Sequence, residues 1–489
     1  MMMKQQAWNP FLPLNEYIPD GEPHVFGNRV YLFGSHDKEN GETYCMLPYQ
    51  VYSAPVDDLG NWTSPGISYT AGQDPRCVES RHYMYAPDVV QGNDGRYYLY
   101  YCFGGYEGPI NVAVSDTPDG RYEYLGVVKN PDGSAYQRFV PFDPAVINDE
   151  GTIRLYYGTL YPFEDARNAE NSEMFDQIQS KMFGKTKEEL KAEPDGVMGP
   201  VTVELSGDMM TVVSEPKRIT PVKVKGTCFE EHPFFEGASI RKVNGLYYFI
   251  YSSFKNHELC YAVSRYPDRD FTFGGTIVSA GDVGYQGRRE EERLNATGTT
   301  HGSIECINGQ WYVFYHRLTH GSDYSRQACA EQIRILEDGS IPQVEVTSCG
   351  LNGGPLRGQG RYPAVICCNL TNGHMPHSSN QKNEEAIPCV YSDGKDRFVH
   401  NIEKGTWIGY KYFSLKGKQE LKITYRGNVQ GKVAVSDHLH GRALAEFEIS
   451  PAEEWKETGL QVSFSKGKSA IYFYFTGEGS MDLLSFELI

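Results

Sequence analysis

The sequence predicts an all-β protein, a five-bladed β-propeller followed by a β-sandwich (jelly-roll) domain, on three observations. One hairpin-like pattern recurs five times in the first two thirds of the chain. The composition favours tight turns and pleated strands, with 51 Gly, 27 Pro and 35 Tyr among 489 residues. The last quarter consists of short apolar/polar alternations separated by polar turns, without that pattern.

The opening residues, 1–14, hold no apolar stretch long enough for a signal-peptide core, so the chain reads as a mature start of a cytoplasmic protein. No window approaches the ~18 continuous apolar residues of a membrane span. The 11 Cys are odd in number and scattered without paired metal spacing, and read as reduced packing thiols. A formal charge of −17 (46 basic against 63 acidic residues) opposes binding to a phosphate backbone, so neither nucleic acid nor membrane is an expected partner.

The five copies run Asp20 to Gly34, Asp88 to Cys102, Asp143 to Gly158, Glu236 to Ser252 and His301 to His316. Each joins a short apolar arm to an aromatic-rich arm through Gly-Asn, Asn-Asp-Gly, Glu-Gly or Asn-Gly, residues that accept the positive φ of a hairpin turn. Antiparallel sheets repeated at this spacing close radially into a propeller, which protects their edges and leaves a central channel. The offsets from opener to the end of the aromatic run are 14, 14, 15, 16 and 15 residues. Four carboxylates and one His are therefore expected at nearly equivalent places on the innermost strands, facing one axis.

Within 1–345, the stretch 164–193 changes composition and favours helix, with Met174, Ile178 and Met182 at four-residue spacing. It reads as a helical insertion. The Gly- and Pro-rich passage 346–363 reads as a linker strapped across the propeller. Residues 364–489 form the predicted sandwich.

A cavity lined by inward carboxylates and aromatic rings suits a sugar, since rings stack on its apolar face and carboxyl groups do acid-base work at the glycosidic bond. Crowded carboxylates also disfavour one another's ionisation, so one can keep a proton at neutral pH.

The segments Tyr17-Ile-Pro-Asp20, Tyr85-Ala-Pro-Asp88, Phe142-Asp143-Pro-Ala-Val, Phe235-Glu236-Gly-Ala-Ser-Ile and His301-Gly-Ser, in that order, resemble glycoside hydrolase family 43. The resemblance covers roughly residues 8 to 345. It implies a five-bladed propeller and an inverting single displacement with Asp20 as general base, Glu236 as general acid and Asp143 tuning and orienting that acid. Glu22 is a weaker candidate for the base because its offset to Gly34 is 12, and Glu230 and Glu231 do not open the fourth hairpin. The resemblance further implies that Arg326, His301, Asp88 and Tyr85 belong to the sugar site: Arg326 pointing at the substrate, where it can bond hydroxyls and depress the base pKa, Asp88 behind the direct contacts, and Tyr85 standing where the family usually has Trp. It requires no cofactor and allows a structural calcium near His301, held through water.

The C-terminal segment resembles family 6 carbohydrate-binding modules through Trp455-Lys-Glu-Thr and the closing Met481-Asp-Leu-Leu-Ser-Phe, yet lacks their usual sugar-gripping Asn and aromatic. A structural or homo-oligomer-forming role is expected for it. The whole reads as an exo-glycosidase releasing terminal α-L-arabinofuranosyl or β-D-xylosyl residues from plant-derived oligosaccharides. β-Galactofuranosidase or endo-arabinanase action, or a non-catalytic sugar-binding propeller, are the alternatives.

Overall fold

A computed structural model of the chain describes residues 5–77, 83–104, 108–159, 177, 180, 186–188, 198–377 and 387–489. Most of the expected helical insertion, 164–193, lies outside the described residues; of those described within it, Gln177, Ser180, Lys187 and Glu188 are helical.

Five antiparallel sheets of three or four strands form the blades. Blade 1 is Glu22–Phe26, Arg29–Phe33 and Tyr52–Pro55; blade 2 is Asp88–Gln91, Tyr97–Tyr101, Asn111–Ser115 and Glu123–Val127. Blade 3 is Ala145–Asp149, Thr152–Tyr157, Val201–Leu205 and Lys217–Arg218. Blade 4 is Phe234–Val243, Leu246–Ser253, Glu258–Ser264 and Thr272–Ser279; blade 5 is Ser303–Ile307, Gln310–Leu318 and Arg326–Gln332. The first hairpins of blades 3, 4 and 5 turn on Glu150-Gly151, Asn244-Gly245 and Asn308-Gly309, all at positive φ, as their residue types demand.

Each blade buries one face against the next. Val89, Leu99 and Tyr101 of blade 2 pack on Tyr31 and Phe33 of blade 1. Val90, Tyr98 and Tyr100 on its opposite face meet Val146, Ile153 and Leu155 of blade 3. Large side chains buried in this way contribute about 1.5–3 kcal/mol each, and this packing holds the ring together. The innermost strands touch in order, and that of blade 5 returns to that of blade 1. The ring is fastened by the chain's own beginning. Phe11 donates its N–H to Ala328 O at 3.2 Å, and the Asn9 side chain exchanges hydrogen bonds of 2.9 Å with Ala330 O and N, along the free edge of Arg326–Gln332.

The C-terminal region is a curled eleven-stranded sheet whose two layers share one long strand, Lys418–Ser436. Its first half pairs with Ala452–Ser463 and Glu478–Leu488, and its second half with Ala445–Ile449 and Gly467–Phe475. The strand bends at Gly427, where a Cβ would lie 2.4 Å from Ser480 O.

The first part of the passage 346–363 does run along the propeller, with Leu351 buried against blades 1 and 5, but residues 356–363 are not a linker. Leu356–Arg357 pairs with Trp407–Leu415, and Gly360–Pro363 pairs with Glu478–Leu488, so both belong to the sandwich. Leu356 and Tyr362 are fully buried in its core. The glycines that suggest a loose strap instead allow close approach: a Cβ on Gly358 would sit 1.9 Å from Ser414 O.

Candidate active site

The lead-ins to the innermost strands of blades 1, 3 and 5, and the opening of that of blade 4, bring Asp20, Asp143, His301 and Glu236 to one end of the channel. Asp20 and Asp143 lie two residues before their strands and hold positive φ of 57° and 43°, a backbone state that costs of order 1–3 kcal/mol and clusters at functional sites. Glu236 sits on a bulged strand that shifts register between Glu236 and Ser239. Gly237 there takes φ of 72°, and a Cβ on it would lie 3.1 Å from the His301 ring, so only glycine fits without displacement.

The Asp20 carboxylate is buried, with Oδ1 2.9 Å from Arg326 Nη1. Its N–H donates to His316 Nδ1 at 3.2 Å, and the hydrogen on His316 Nε2 goes to Thr299 O at 2.8 Å. Burial pushes the His316 pKa down to about 3, so the ring is neutral. Burial, the largest single influence, would raise the Asp20 carboxyl, but the Arg326 guanidinium together with His316, His301 and the Ser35 hydroxyl holds the group below its ordinary value.

Glu236 is the opposite case. Burial and the negative charge of Asp20 push its pKa up to about 8, against the smaller opposing effect of Arg326. Its carboxyl has no hydrogen-bond partner among the described residues, which leaves both oxygens for a ligand. Asp143 is raised as well, by burial and then by Glu236 and Asp20; its Oδ2 accepts the Gly237 N–H at 3.0 Å and lies 3.8 Å from His301 Nδ1. Three carboxyl groups in one cavity thus share fewer than three negative charges at neutral pH.

Two of the expected sugar contacts take other places. Asp88 is fully buried and its oxygens are engaged: Oδ1 with His24 Nε2 and the Val89 N–H, Oδ2 with the Val146 N–H, each at 2.7 Å. It ties blades 1, 2 and 3 together and does not face a substrate. Its equal offset was misleading because the blade 2 hairpin spends five residues on its turn, Gly92 to Arg96, where blade 1 spends two. The residue equivalent to Asp20 in blade 2 is therefore Tyr85, which is half-buried, edge-on to Phe142, and close enough to feel the charges of Glu236 and Arg326. Arg326 is also committed: Nε and Nη2 bind Asp37 at 2.8 and 3.0 Å, Nη1 binds Asp20, and the Tyr44 ring lies 4.8 Å from its Cζ. It holds the base rather than reaching for sugar.

His301 is buried, and its Nε2 has no hydrogen-bond partner among the described residues. Calcium seeks six to eight oxygens. His301 offers a nitrogen and belongs to neither of the two side-chain groups, His232/Glu258/Cys260 and Glu22/His24/Asp88, that could close around an ion among the described residues. A calcium at His301 would therefore be held through water rather than by a cage of side chains.

Asp37, Tyr44 and His316 were not singled out from the sequence. His316 carries the one signal, a polar residue ending the otherwise apolar and aromatic arm Trp311-Tyr-Val-Phe-Tyr. In the sandwich, Trp455 donates Nε1–H to Asp396 at 2.8 Å and has Arg426 over its ring at 4.2 Å, so this aromatic is engaged within its own domain.

The sequence profile described as "Glycosyl hydrolases family 43" matches residues 9–341. A "Xylosidase/arabinosidase" of Thermoclostridium stercorarium is 41% identical, covering 99% of this chain and 99% of its own. A "Xylosidase/arabinosidase 43A" of Humicola insolens is 31% identical over 67% of this chain and 96% of its own. Among solved structures, a family 43 β-xylosidase/α-arabinofuranosidase from a compost microbial metagenome, in complex with xylotriose and in a calcium-free form, is 26% identical with a TM-score of 0.52, covering 70% of this chain and 98% of that one. A Bacillus subtilis arabinoxylan arabinofuranohydrolase in complex with cellotetraose shares the fold across 99% of both chains, at 20% identity and a TM-score of 0.51.

Proposed function

The chain belongs to glycosyl hydrolases family 43, and from that premise we propose that this glycoside hydrolase removes terminal α-L-arabinofuranosyl or β-D-xylosyl residues from plant-derived oligosaccharides, with inversion at the anomeric carbon. Glu236, still protonated at neutral pH, gives its proton to the leaving oxygen as the glycosidic bond breaks. Asp20, ionised, takes a proton from the water that attacks the anomeric carbon from the opposite face. The products are the free sugar and the shortened alcohol, and one proton exchange with solvent resets both carboxyl groups. Asp143 orients the acid through the Gly237 N–H and its own charge. Tyr85 offers its ring to the sugar.

The observation that carries this reading is the opposite displacement of two carboxyl groups in one cavity, Asp20 downward beside Arg326 and Glu236 upward to about 8. The pentose assignment is supported by the names of the similar enzymes. A panel of aryl arabinofuranosides, xylosides and galactofuranosides, with linear arabinan for endo action, tests it; no hydrolysis of the first two would overturn the substrate class. Glu236→Ala should lose turnover by about 10³-fold on unactivated substrates and much less on those with good leaving groups. Anomer-resolved NMR should show the inverted sugar as first product.

A further inference from the structure

We infer that Arg397 of the sandwich domain is a positioning residue for the glycosidase site: through Glu39 and Tyr17 it fixes the propeller segments that press Arg326 against Asp20. The inference rests on the assignment of Asp20 as base.

Arg397 begins the strand Arg397–Ile402, whose hairpin partner Cys389–Ser392 docks on the propeller through the Val390 N–H and Thr319 O at 2.8 Å. Its guanidinium grips the Glu39 carboxylate with both terminal nitrogens, Nη2 to Oε2 at 3.0 Å and Nη1 to Oε1. Nη1 also donates to the Tyr17 hydroxyl at 2.7 Å. That hydroxyl donates to Glu39 Oε1 at 2.8 Å, and His320 Nε2 approaches the same oxygen to 3.2 Å. One arginine of the second domain therefore closes a knot of three propeller side chains. Tyr17 and His320 are almost wholly buried in it.

Each of the three belongs to a segment that ends at the proposed base. Tyr17 lies three residues before Asp20, and its carbonyl accepts the Asp37 N–H at 2.9 Å. Glu39 lies two residues after Asp37, the carboxylate that binds Arg326 through both Nε and Nη2. The next residue, Asn40, donates its N–H to the hydroxyl of Ser325, the neighbour of Arg326, at 3.0 Å. His320 lies in the connection from the strand Gln310–Leu318 to the strand that Arg326 begins. Planar two-point recognition by an arginine fixes both distance and orientation, so the grip on Glu39 sets where Asp37, and hence Arg326, can stand.

Loosening it lets Arg326 retreat from Asp20. The other groups that bear on the Asp20 carboxyl are Asp37, Glu236, Asp143, His301, His316, Cys45 and Tyr49. With Arg326 removed, burial and the like charges prevail, and the base becomes harder to ionise.

The experiment measures kcat and KM against pH on an aryl pentoside for the full-length enzyme and for Arg397→Ala, Arg397→Lys and Glu39→Gln, well below each variant's thermal transition. Arg361→Ala is the control, because among the described residues that arginine pairs with Glu457 and Glu487 inside the sandwich. Arg397→Ala and Glu39→Gln should lower kcat about tenfold and move the acid limb of kcat/KM up by about one pH unit. Arg397→Lys should fall between, and Arg361→Ala should match the parent. A lowered transition temperature with kcat and the acid limb unmoved would reduce Arg397 to an interdomain staple and overturn the inference. Asp20→Asn separates the two layers: parental turnover there removes the base assignment and this inference with it, whereas its loss beside an unmoved Arg397→Ala removes the inference alone.

Discussion

At Glu236 the folded chain keeps a proton that the unfolded chain releases near 4.5, because the folded-state value is raised to about 8. Between those values the folded state binds more protons than the unfolded one, so stability falls as pH rises through that window. Glu236→Gln should therefore abolish turnover and yet raise stability at pH 7 by about 1–3 kcal/mol, read by denaturant unfolding. Asp20 has the reverse sign. Its lowered value means a contribution present above the unfolded carboxyl value and lost on acidification. Asp20→Asn should destabilise at neutral pH, because it takes a partner from the buried Arg326. The rate profile follows the same pair: activity should fall below the Asp20 value, as the base protonates, and above about 8, as Glu236 ionises. The convergence of Asp20, Asp143 and Glu236 was legible in the sequence because a repeat places like positions on a common axis. Asp37 and His316 were not, since what makes them functional is their contact with Arg326 and Asp20, residues about 290 positions away.

At the scale of the strand, register decides which side chain reaches the channel, and register depends on turn length. Offsets counted through the hairpin assumed equal turns, and the five-residue turn of blade 2 moved Asp88 three positions inward, into a strut between blades. Asp88→Ala should therefore cost about 2–4 kcal/mol of stability, leaving three donors without an acceptor, with KM nearly unchanged. The bulge at Glu236 makes the complementary case. Gly237→Ala should cost about 1–3 kcal/mol through its positive φ and lower kcat, because the displaced His301 ring and Gly237 N–H both bear on Asp143. The chain between 356 and 363 was misread for a related reason. Glycine marks both loose backbone and close packing, and only the buried Leu356 and Tyr362 tell which applies.

For the molecule as a whole, the seam between propeller and sandwich sets buried polar groups beside apolar contacts such as Trp8 on Tyr362. Asp282 of the propeller accepts the Val346 N–H at 2.7 Å, the Asn369 amide at 3.1 Å and the Lys411 ammonium at 3.2 Å, and is itself buried. A chain ending at 345 would leave that anion without any of the three, and Glu39 without Arg397. Such a truncation should unfold at a markedly lower temperature than the full chain, by calorimetry. The number of blades and the presence of a second β domain were readable from hairpin counting and alternation. The seam was not, because it joins residues such as Asp282 and Lys411 that share no local pattern.

The fastening of blade 5 by Asn9 and Phe11 also bears on synthesis. Asn9 and Phe11 leave the ribosome long before the strand Arg326–Gln332 that they fasten. The nascent chain must hold these two residues in reserve through more than 300 residues of translation, while four blades assemble behind them, and that long-range closure makes the final step slow.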